Sequence, residues 1–283
     1  MTVVGILHPG SMGAAVAGQA RLRGAEVLWC PTGRSSNTRE RAERYGLAAV
    51  SSLGELTDRA HIILNICPPA YAEDVAVAVS AHPFSGIYVD ANAISPASMR
   101  QIHGIVSRTG ATVVDGSIIG SPPSPSKSPR LYLSGPEDAL APVAALFADS
   151  AVQTHLLPGG IGRSSALKLS YSSYQKASRV LAAVSYALAR DYGVEDALID
   201  VAQGRTTSYL AETAYIPKVA ARSWRWAPEM REAAHALREA GLPPELAEAS
   251  AKVMSRWDSL KDSPRELPEV LDHLHDTPDG DPG

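Results

Sequence analysis

The chain has 283 residues, room for one large domain or two ordinary ones, and its 45% hydrophobic and 20% charged residues are the balance of a globular protein. A formal net charge of -4 lacks the basic excess of polyanion binders, so no nucleic-acid partner is expected. Cys30 and Cys67 each end an apolar run and read as core thiols in a reducing compartment, not as a disulfide scaffold. The opening Met1-Thr2-Val3-Val4-Gly5 lacks the charged and long apolar regions of a signal peptide, and the apolar run 62–66 is far too short to span a bilayer. These features predict a cytoplasmic protein with no membrane partner.

In chain order, the first half alternates strand-like and helix-like segments. Residues 3–7 form an apolar run suited to a buried strand, 11–23 an Ala-rich helix, 26–30 a second strand and 38–45 a charged helix that stops at Gly46. Residues 61–66 are again apolar and end at Pro68-Pro69; 86–89 follow, then a helix opening at Ser95-Pro96, with Ser95 as cap and Pro96 in the first turn. Val113-Val114 and Leu131-Tyr132-Leu133 add short strands. Strands alternating with helices predict parallel βαβ units and a doubly wound, Rossmann-type sheet over 1–158.

The pattern changes after Pro158-Gly159-Gly160. No breaker interrupts 162–192, and a helix of about 30 residues would run about 45 Å, too long to pack on one small sheet. Helical segments continue to about Leu260, with turns at Gly204, Pro217 and Gly241-Leu242-Pro243-Pro244. The expected organisation is therefore an α/β domain over 1–158, an all-α domain over 159–261 with a long interdomain helix, and a Pro-, Asp- and Gly-rich tail over 262–283 that reads as disordered.

The first strand and helix are joined by Gly5-Ile6-Leu7-His8-Pro9-Gly10-Ser11-Met12-Gly13. Gly10 and Gly13 fill the second and third positions of the G-x-G-x-x-G dinucleotide fingerprint, and His8 occupies the first. Gly10 would let the backbone approach a pyrophosphate, Gly13 would let the helix pack close to the strand, and the helix N-terminus would offer free N–H groups to phosphate. A glycine-rich turn without a ligand is the plain alternative; the loop's place at the head of a run of βα units favours a nucleotide site built by His8, Pro9, Gly10, Ser11, Met12 and Gly13. After the second strand, Cys30-Pro31-Thr32-Gly33-Arg34-Ser35-Ser36-Asn37-Thr38 contains no acid to hold a ribose 2′-hydroxyl. Arg34 can pair with a 2′-phosphate and Ser35 and Ser36 can donate to it, which favours NADP(H) over NAD; an ordinary polar loop capped at Ser36 or Asn37 is the alternative.

These residues resemble the β-hydroxyacid dehydrogenase and 6-phosphogluconate dehydrogenase superfamily, which includes the imine reductases. Gly10-Ser11-Met12-Gly13 is similar to its G-x-M-G, Cys67-Pro68-Pro69 to a proline-rich cofactor contact, and Asp90-Ala91-Asn92-Ala93-Ile94-Ser95-Pro96 to its D-x-S-T-x-x-P segment. Residues 162–176 resemble the start of its long interdomain helix, and Trp224-Arg225-Trp226-Ala227-Pro228-Glu229-Met230 resembles a subgroup whose C-terminal domain has no settled function. The resemblance implies cofactor contacts at Cys67, Pro68 and Asn92 and a catalytic lysine at Lys168. It also implies a homodimer with intertwined helical domains, each active site taking a lid from the partner's C-terminal half. Helical spacing puts Ser164, Lys168 and Ser172 on one face with Tyr171 and Gln175 alongside, which suits an active-site wall or a structural or solvent-facing stripe equally. The resemblance turns that reading toward catalysis.

Two departures stand out. Ser172 replaces an asparagine one turn after the lysine, and Ile119-Gly120-Ser121 replaces an S-G-G substrate loop, so the pocket reads as less polar than one for a simple 3-hydroxy acid. Ser95, Gly120, Ser121, Tyr171 and Ser172 are the expected substrate contacts. The expected activity is hydride transfer between NADP(H) and a small C=O/CH–OH substrate, with imine reduction as the enzymatic alternative and non-catalytic NADPH sensing as the alternative of another class. No metal is expected: His8 and His61 lack paired ligands, and His273-Leu274-His275 lies in the tail. Dimer burial is also expected of the apolar girth of the long helix, including Leu167, Leu169, Val180, Leu181, Val184 and Leu188.

Overall fold

The computed structural model describes residues 1–204, 209, 212–239, 241–263 and 265–275; the side chains of Val184, Arg225 and Glu229 lie outside the described residues. The chain divides into two compact units, Met1–Ser172 and the residues from Ser173 onward.

In the first unit eight strands form one sheet: β1 (Val3–Ile6), β2 (Glu26–Trp29), β3 (Ala48–Ala49), β4 (Ile62–Asn65), β5 (Ile87–Asp90), β6 (Thr112–Ile119), β7 (Arg130–Ser134) and β8 (Gln153–Leu156). Their order is β3-β2-β1-β4-β5-β6-β7-β8, and all neighbours run parallel except β6 and β7. The central strands are buried on both faces, which is why they read as unbroken apolar runs. On one face α1 (Ser11–Leu22) and α6 (Glu137–Ala145) pack Val16, Ala17, Leu140 and Val143 against β1 and β7. On the other, α3 (Leu53–Arg59), α4 (Ala72–Ser80) and α5 (Pro96–Val106) pack Leu56, Ala76, Val79, Met99 and Ile102 against Leu28, Ile63 and Tyr88. A charged helix, α2 (Ser36–Arg44), follows β2. The strand order reverses between β1 and β4, the kind of switch point at whose carboxyl ends open α/β sheets bind ligands.

Every strand expected from the sequence is present. Two strands carried no clear signal: β3 has two residues, and β8 reads Gln-Thr-His-Leu on an exposed edge. The short strand expected at Val113-Val114 extends to eight residues because Asp115, Gly116 and Ser117 are buried strand positions. The first unit also continues past Pro158, because the opening of α7 (Arg163–Asp191) is bonded to the sheet.

Beyond Ser172 the described elements are all helical: the rest of α7, α8 (Glu195–Gln203), α9 (Ile216–Glu239), α10 (Glu245–Ser255) and α11 (Leu267–Asp272). Pro217 sits in the first turn of α9, where its missing N–H costs nothing, and Pro228 lies inside that helix. The expectation of a disordered tail from Asp262 is corrected for Leu267–Asp272. Val270 of α11 is fully buried beside Ala220, Trp257 and Leu260, and its carbonyl accepts from the Trp257 indole at 2.9 Å. Residues 276–283 lie outside the described residues. No described helix is long and apolar enough to cross a membrane.

Two glycines test the packing with opposite signs. A Cβ on Gly13 would lie 2.4 Å from the His8 carbonyl oxygen, whereas one on Gly104, inside α5, would meet nothing within 4 Å. Gly13→Ala should cost about 1–3 kcal/mol through overpacking. Gly104→Ala should add about 0.4–1 kcal/mol by restricting the unfolded chain. Urea midpoints measure both, and a Gly13→Ala protein as stable as the parent would contradict this packing of α1 on β1.

Candidate active site

The loop between β1 and α1 is closely packed on the protein side and open on the other. Gly13 is held against the His8 carbonyl, while a Cβ on Gly10 would meet nothing nearer than 3.4 Å. Gly10 also caps α1 with no side-chain hydrogen bond, so the first amides of the helix remain available. Two arginines close over this loop. Arg34 Nη1 lies 3.1 Å from His8 Nδ1, and Nη2 donates to the Leu7 carbonyl at 3.0 Å. Arg41 Nε reaches the Pro9 carbonyl at 3.5 Å. Burial, then Arg34, then Arg41 hold the His8 imidazole below its usual pKa. Arg34 also walls a cavity of about 360 Å³ at the carboxyl ends of β1 and β2, with Leu7, Cys30, Leu53, Val75 and Val79 around it. Its Nε is buried without a partner.

Ser35, not Ser36 or Asn37, caps α2: its Oγ accepts from the Thr38 amide at 3.4 Å. Ser35 and Ser36 are both exposed at the open end of that helix. Both cysteines are free and half-buried against the core on the α3, α4 and α5 face of the sheet. Burial and the neighbouring Asp90 push the Cys67 thiol up to about 11, so it is not a thiolate nucleophile at neutral pH.

A polar tier crosses the carboxyl ends of the central strands. Asn65 on β4 is in register with Asp90 on β5, and Asp90 with Asp115 on β6. Asn65 Nδ2 donates to Asp90 Oδ2 at 2.9 Å, and the Asn92 amide donates to Asp90 Oδ1 at 3.1 Å. Asn92 Oδ1 in turn accepts from the Cys67 amide at 2.7 Å, which ties the loop after β4 to the loop after β5. The other side of the Asn92 amide, Nδ2, is buried and unpartnered. Pro68, next in sequence to Cys67, is exposed.

Asp115 anchors the third part of the site. It is fully buried and accepts at Oδ2 from Ser134 Oγ (3.1 Å), the Gly162 amide (2.9 Å) and the Ser165 amide (3.1 Å), and at Oδ1 from Ser165 Oγ (2.7 Å). Ser134 Oγ also accepts from the Ser164 amide at 3.1 Å, and Ser164 Oγ donates to the Tyr132 carbonyl at 2.8 Å. The start of α7 is thus clamped to β6 and β7. One turn on, Lys168 is half-buried and donates from Nζ to the Ile118 carbonyl at 2.7 Å, three residues beyond the last β6 residue paired with β5. The face carrying Ser164 and Lys168 therefore meets the sheet. Ser172 is buried and Tyr171 half-buried farther along the helix; Gly120 and Ser121 are exposed where β6 ends. The hydroxyl of Ser95, expected to touch substrate, caps α5 through the Ser98 amide at 3.0 Å.

The expected residues therefore gather in two groups on the same sheet edge, the loop with Arg34 and the Lys168 group, with Cys67, Asp90 and Asn92 between them. Asp90 is in register with Asp115, and the Cys67 amide is bonded to Asn92, so these groups follow one another along the edge. Sequence reasoning missed Arg41, hidden in a charged helix, and the anchoring role of Asp115. An ionisable residue inside the run Val113-Val114-Asp115-Gly116-Ser117-Ile118-Ile119 was the available signal. No group of three or more His, Cys, Asp or Glu that could hold a metal occurs among the described residues.

Residues 2–158 match the family described as the NAD binding domain of 6-phosphogluconate dehydrogenase. The chain belongs to this family. Residues 189–257 match a second family, a domain of unknown function designated DUF1932. An uncharacterized 28.5 kDa protein from Methanothermus fervidus is 26% identical over 176 residues, 62% of this chain; the match spans 66% of that relative, just under two thirds of its length. Among solved structures, a reductive aminase from Aspergillus terreus in complex with NADPH and ethyl levulinate is similar over 97% of this chain and 99% of its own, with TM-score 0.74 and 18% identity. A 3-hydroxyisobutyrate dehydrogenase from Mycobacterium tuberculosis is similar over 98% and 100%, with TM-score 0.63 and 18% identity. The first unit is thus an NAD(P)-binding domain of the 6-phosphogluconate dehydrogenase type.

Within that domain, burial raises the Asp90 carboxyl to about 6, with hydrogen bonds from Asn65 and Asn92 acting the other way. The folded state holds this proton more tightly than the unfolded one, so the contribution of Asp90 to stability is lost as pH rises from about 4 through 6, by about 3 kcal/mol. In Asp90→Asn the new carbonyl can accept from the Asn92 amide while Asn65 turns its oxygen inward, which removes the titration. Denaturant unfolding from pH 4 to 7.5 should show the variant gaining on the parent by about that amount. A constant difference between the two proteins would rule out Asp90 as the titrating group.

Proposed function

We propose that the protein is an NADPH-dependent oxidoreductase that reduces a small C=O group, or oxidises the corresponding CH–OH, with Lys168 managing the proton. The observation that carries this reading is the Lys168 ammonium, half-buried and held on the Ile118 carbonyl at the carboxyl edge of the sheet. A dinucleotide fits the residues present. Gly10 leaves room for the pyrophosphate, the amides of Ser11, Met12 and Gly13 open the helix that follows it, and the cavity beside Arg34 suits the adenosine end. Arg34, with no acid after β2, suits a 2′-phosphate, and Ser35 and Ser36 present hydroxyls at the open end of α2. The buried, unpartnered Nδ2 of Asn92 suits a cofactor or substrate oxygen. When bound, the cofactor supplies or accepts the hydride.

The rest of the work falls to this chain. Lys168 Nζ can leave the Ile118 carbonyl for the oxygen of the substrate, neutralise the charge that grows there and hand over its proton; in oxidation the neutral amine takes the proton back. Tyr171 and Ser172 extend the same helix, and Gly120 and Ser121 offer backbone amides to an anionic or polar substituent. Ile119 makes that end of the pocket less polar than a loop of serine and glycine would. A second reading, reduction of C=N, is favoured by the higher TM-score to the reductive aminase than to the hydroxyacid dehydrogenase. We also propose a homodimer through the helical unit, where Val180, Leu181, Tyr186, Tyr192, Ile199 and Val201 are exposed.

The test is a panel of ketones, hydroxy acids and cyclic imines run in both directions with NADPH and NADH, on the parent, Arg34→Ala and Lys168→Met. NADPH should bind at least about tenfold better than NADH, and Arg34→Ala should erase that advantage. Lys168→Met should keep its fold and cofactor affinity while kcat on a carbonyl falls by about 10²–10⁴. The loss should be smaller on an imine that arrives protonated. Normal turnover in Lys168→Met would remove the lysine from the chemistry, and no turnover with any substrate would make the protein a cofactor sensor.

A further inference from the structure

His8 stands where the dinucleotide fingerprint has its first glycine, and the structure gives it a definite chemical form. Arg34 has only N–H groups to offer, so the 3.1 Å contact between Arg34 Nη1 and His8 Nδ1 makes Nδ1 the acceptor. Arg34 is itself fixed by its second bond, to the Leu7 carbonyl at 3.0 Å. A neutral imidazole that accepts at Nδ1 carries its proton on Nε2. That edge of the ring faces the open side of the loop: a Cβ built on Gly10 would lie 3.4 Å from His8 Cδ2 and 3.5 Å from Nε2. Gly10 is also the N-cap of α1, at the end of the helix whose first amides have no intrahelical partner.

We propose that His8 is a phosphate-binding residue, donating its Nε2–H to a diphosphate oxygen of the dinucleotide, with Arg34 acting behind it as the group that fixes its tautomer. This rests on the reading of the loop as a dinucleotide site and assigns a role that a glycine at this position cannot fill. Arg34 would then serve two ends of the cofactor: the 2′-phosphate through the N–H groups not used on His8 and Leu7, and the diphosphate through His8. The two residues are separable, because the diphosphate is common to NADP⁺ and NAD⁺ and the 2′-phosphate is not.

The experiment measures dissociation constants of NADP⁺ and NAD⁺ by calorimetry for the parent, His8→Ala, His8→Gln and Arg34→Ala, with a thermal melt of each protein without ligand. His8→Ala should weaken both cofactors by the same factor, about tenfold for one charge-assisted bond. His8→Gln, whose amide N–H reaches the place of Nε2, should restore most of that loss for both. Arg34→Ala should weaken NADP⁺ by more than NAD⁺. A His8→Ala protein that loses affinity for NADP⁺ alone would make His8 only a support for Arg34 and overturn the proposal, as would unchanged affinity for both. Equal binding of NADP⁺ and NAD⁺ by the parent would instead contradict the cofactor preference and leave the His8 comparison decisive. A parent that binds neither would overturn both.

Discussion

A single buried carboxylate holds the site together. Asp115 is fully shielded from solvent, and an isolated charge in that position would cost many kcal/mol. It is retained because four donors converge on it, three of them from Gly162 and Ser165 at the head of α7. Two of the donors, the Gly162 and Ser165 amides, are among those that a helix N-terminus leaves unsatisfied, and the helix dipole favours a negative charge there. Asp115 thus caps a 29-residue helix from inside the sheet. The register of α7 is fixed at its first turn, and Lys168, three residues past Ser165, comes to the end of β6 as a consequence. If the clamp moved, the lysine would move with it.

The same strand level carries the rest of the machinery. Asn65, Asp90 and Asp115 sit side by side on β4, β5 and β6, and the bonds through Asn92 and Cys67 brace the loops that follow. Strands buried on both faces have nowhere to place polar side chains except at their ends, so polar groups collect at the carboxyl edge where the strand order reverses. Binding and proton transfer both draw on this edge: the loop and Arg34 at β1 and β2, the ammonium of Lys168 at β6.

Much of this was legible in the sequence, for identifiable reasons. The runs at 61–66 and 86–89 announced strands through their unbroken apolar centres, Ile62-Ile63-Leu64 and Ile87-Tyr88-Val89. Gly13 announced a close approach, which the packing against the His8 carbonyl bears out. Ser95 and Pro96 announced a helix start through cap chemistry that acts within four residues. What failed was non-local. The extent of β6 was hidden because Asp115 and Ser117 look like loop residues until α7 and β7 are folded over them. Arg41 was hidden because its partner, the Pro9 carbonyl, is 32 residues away. α11 was hidden because a polar composition outweighed one residue, Val270, whose burial depends on Trp257 and Leu260.

The central claim is that Asp115 fastens the start of α7 to the sheet, and amide hydrogen exchange tests it directly. The amides of Gly162, Ser164 and Ser165 belong to a helix N-terminus, where exchange is ordinarily fast. Here they donate to Asp115 and Ser134 and should be protected to a degree comparable with the amides of β6. In Asp115→Asn, which has one acceptor oxygen where the carboxylate has two, their protection should fall while that of β1 and β4 stays. Fast exchange at these three amides in the parent protein, or unchanged protection in the variant, would contradict the account.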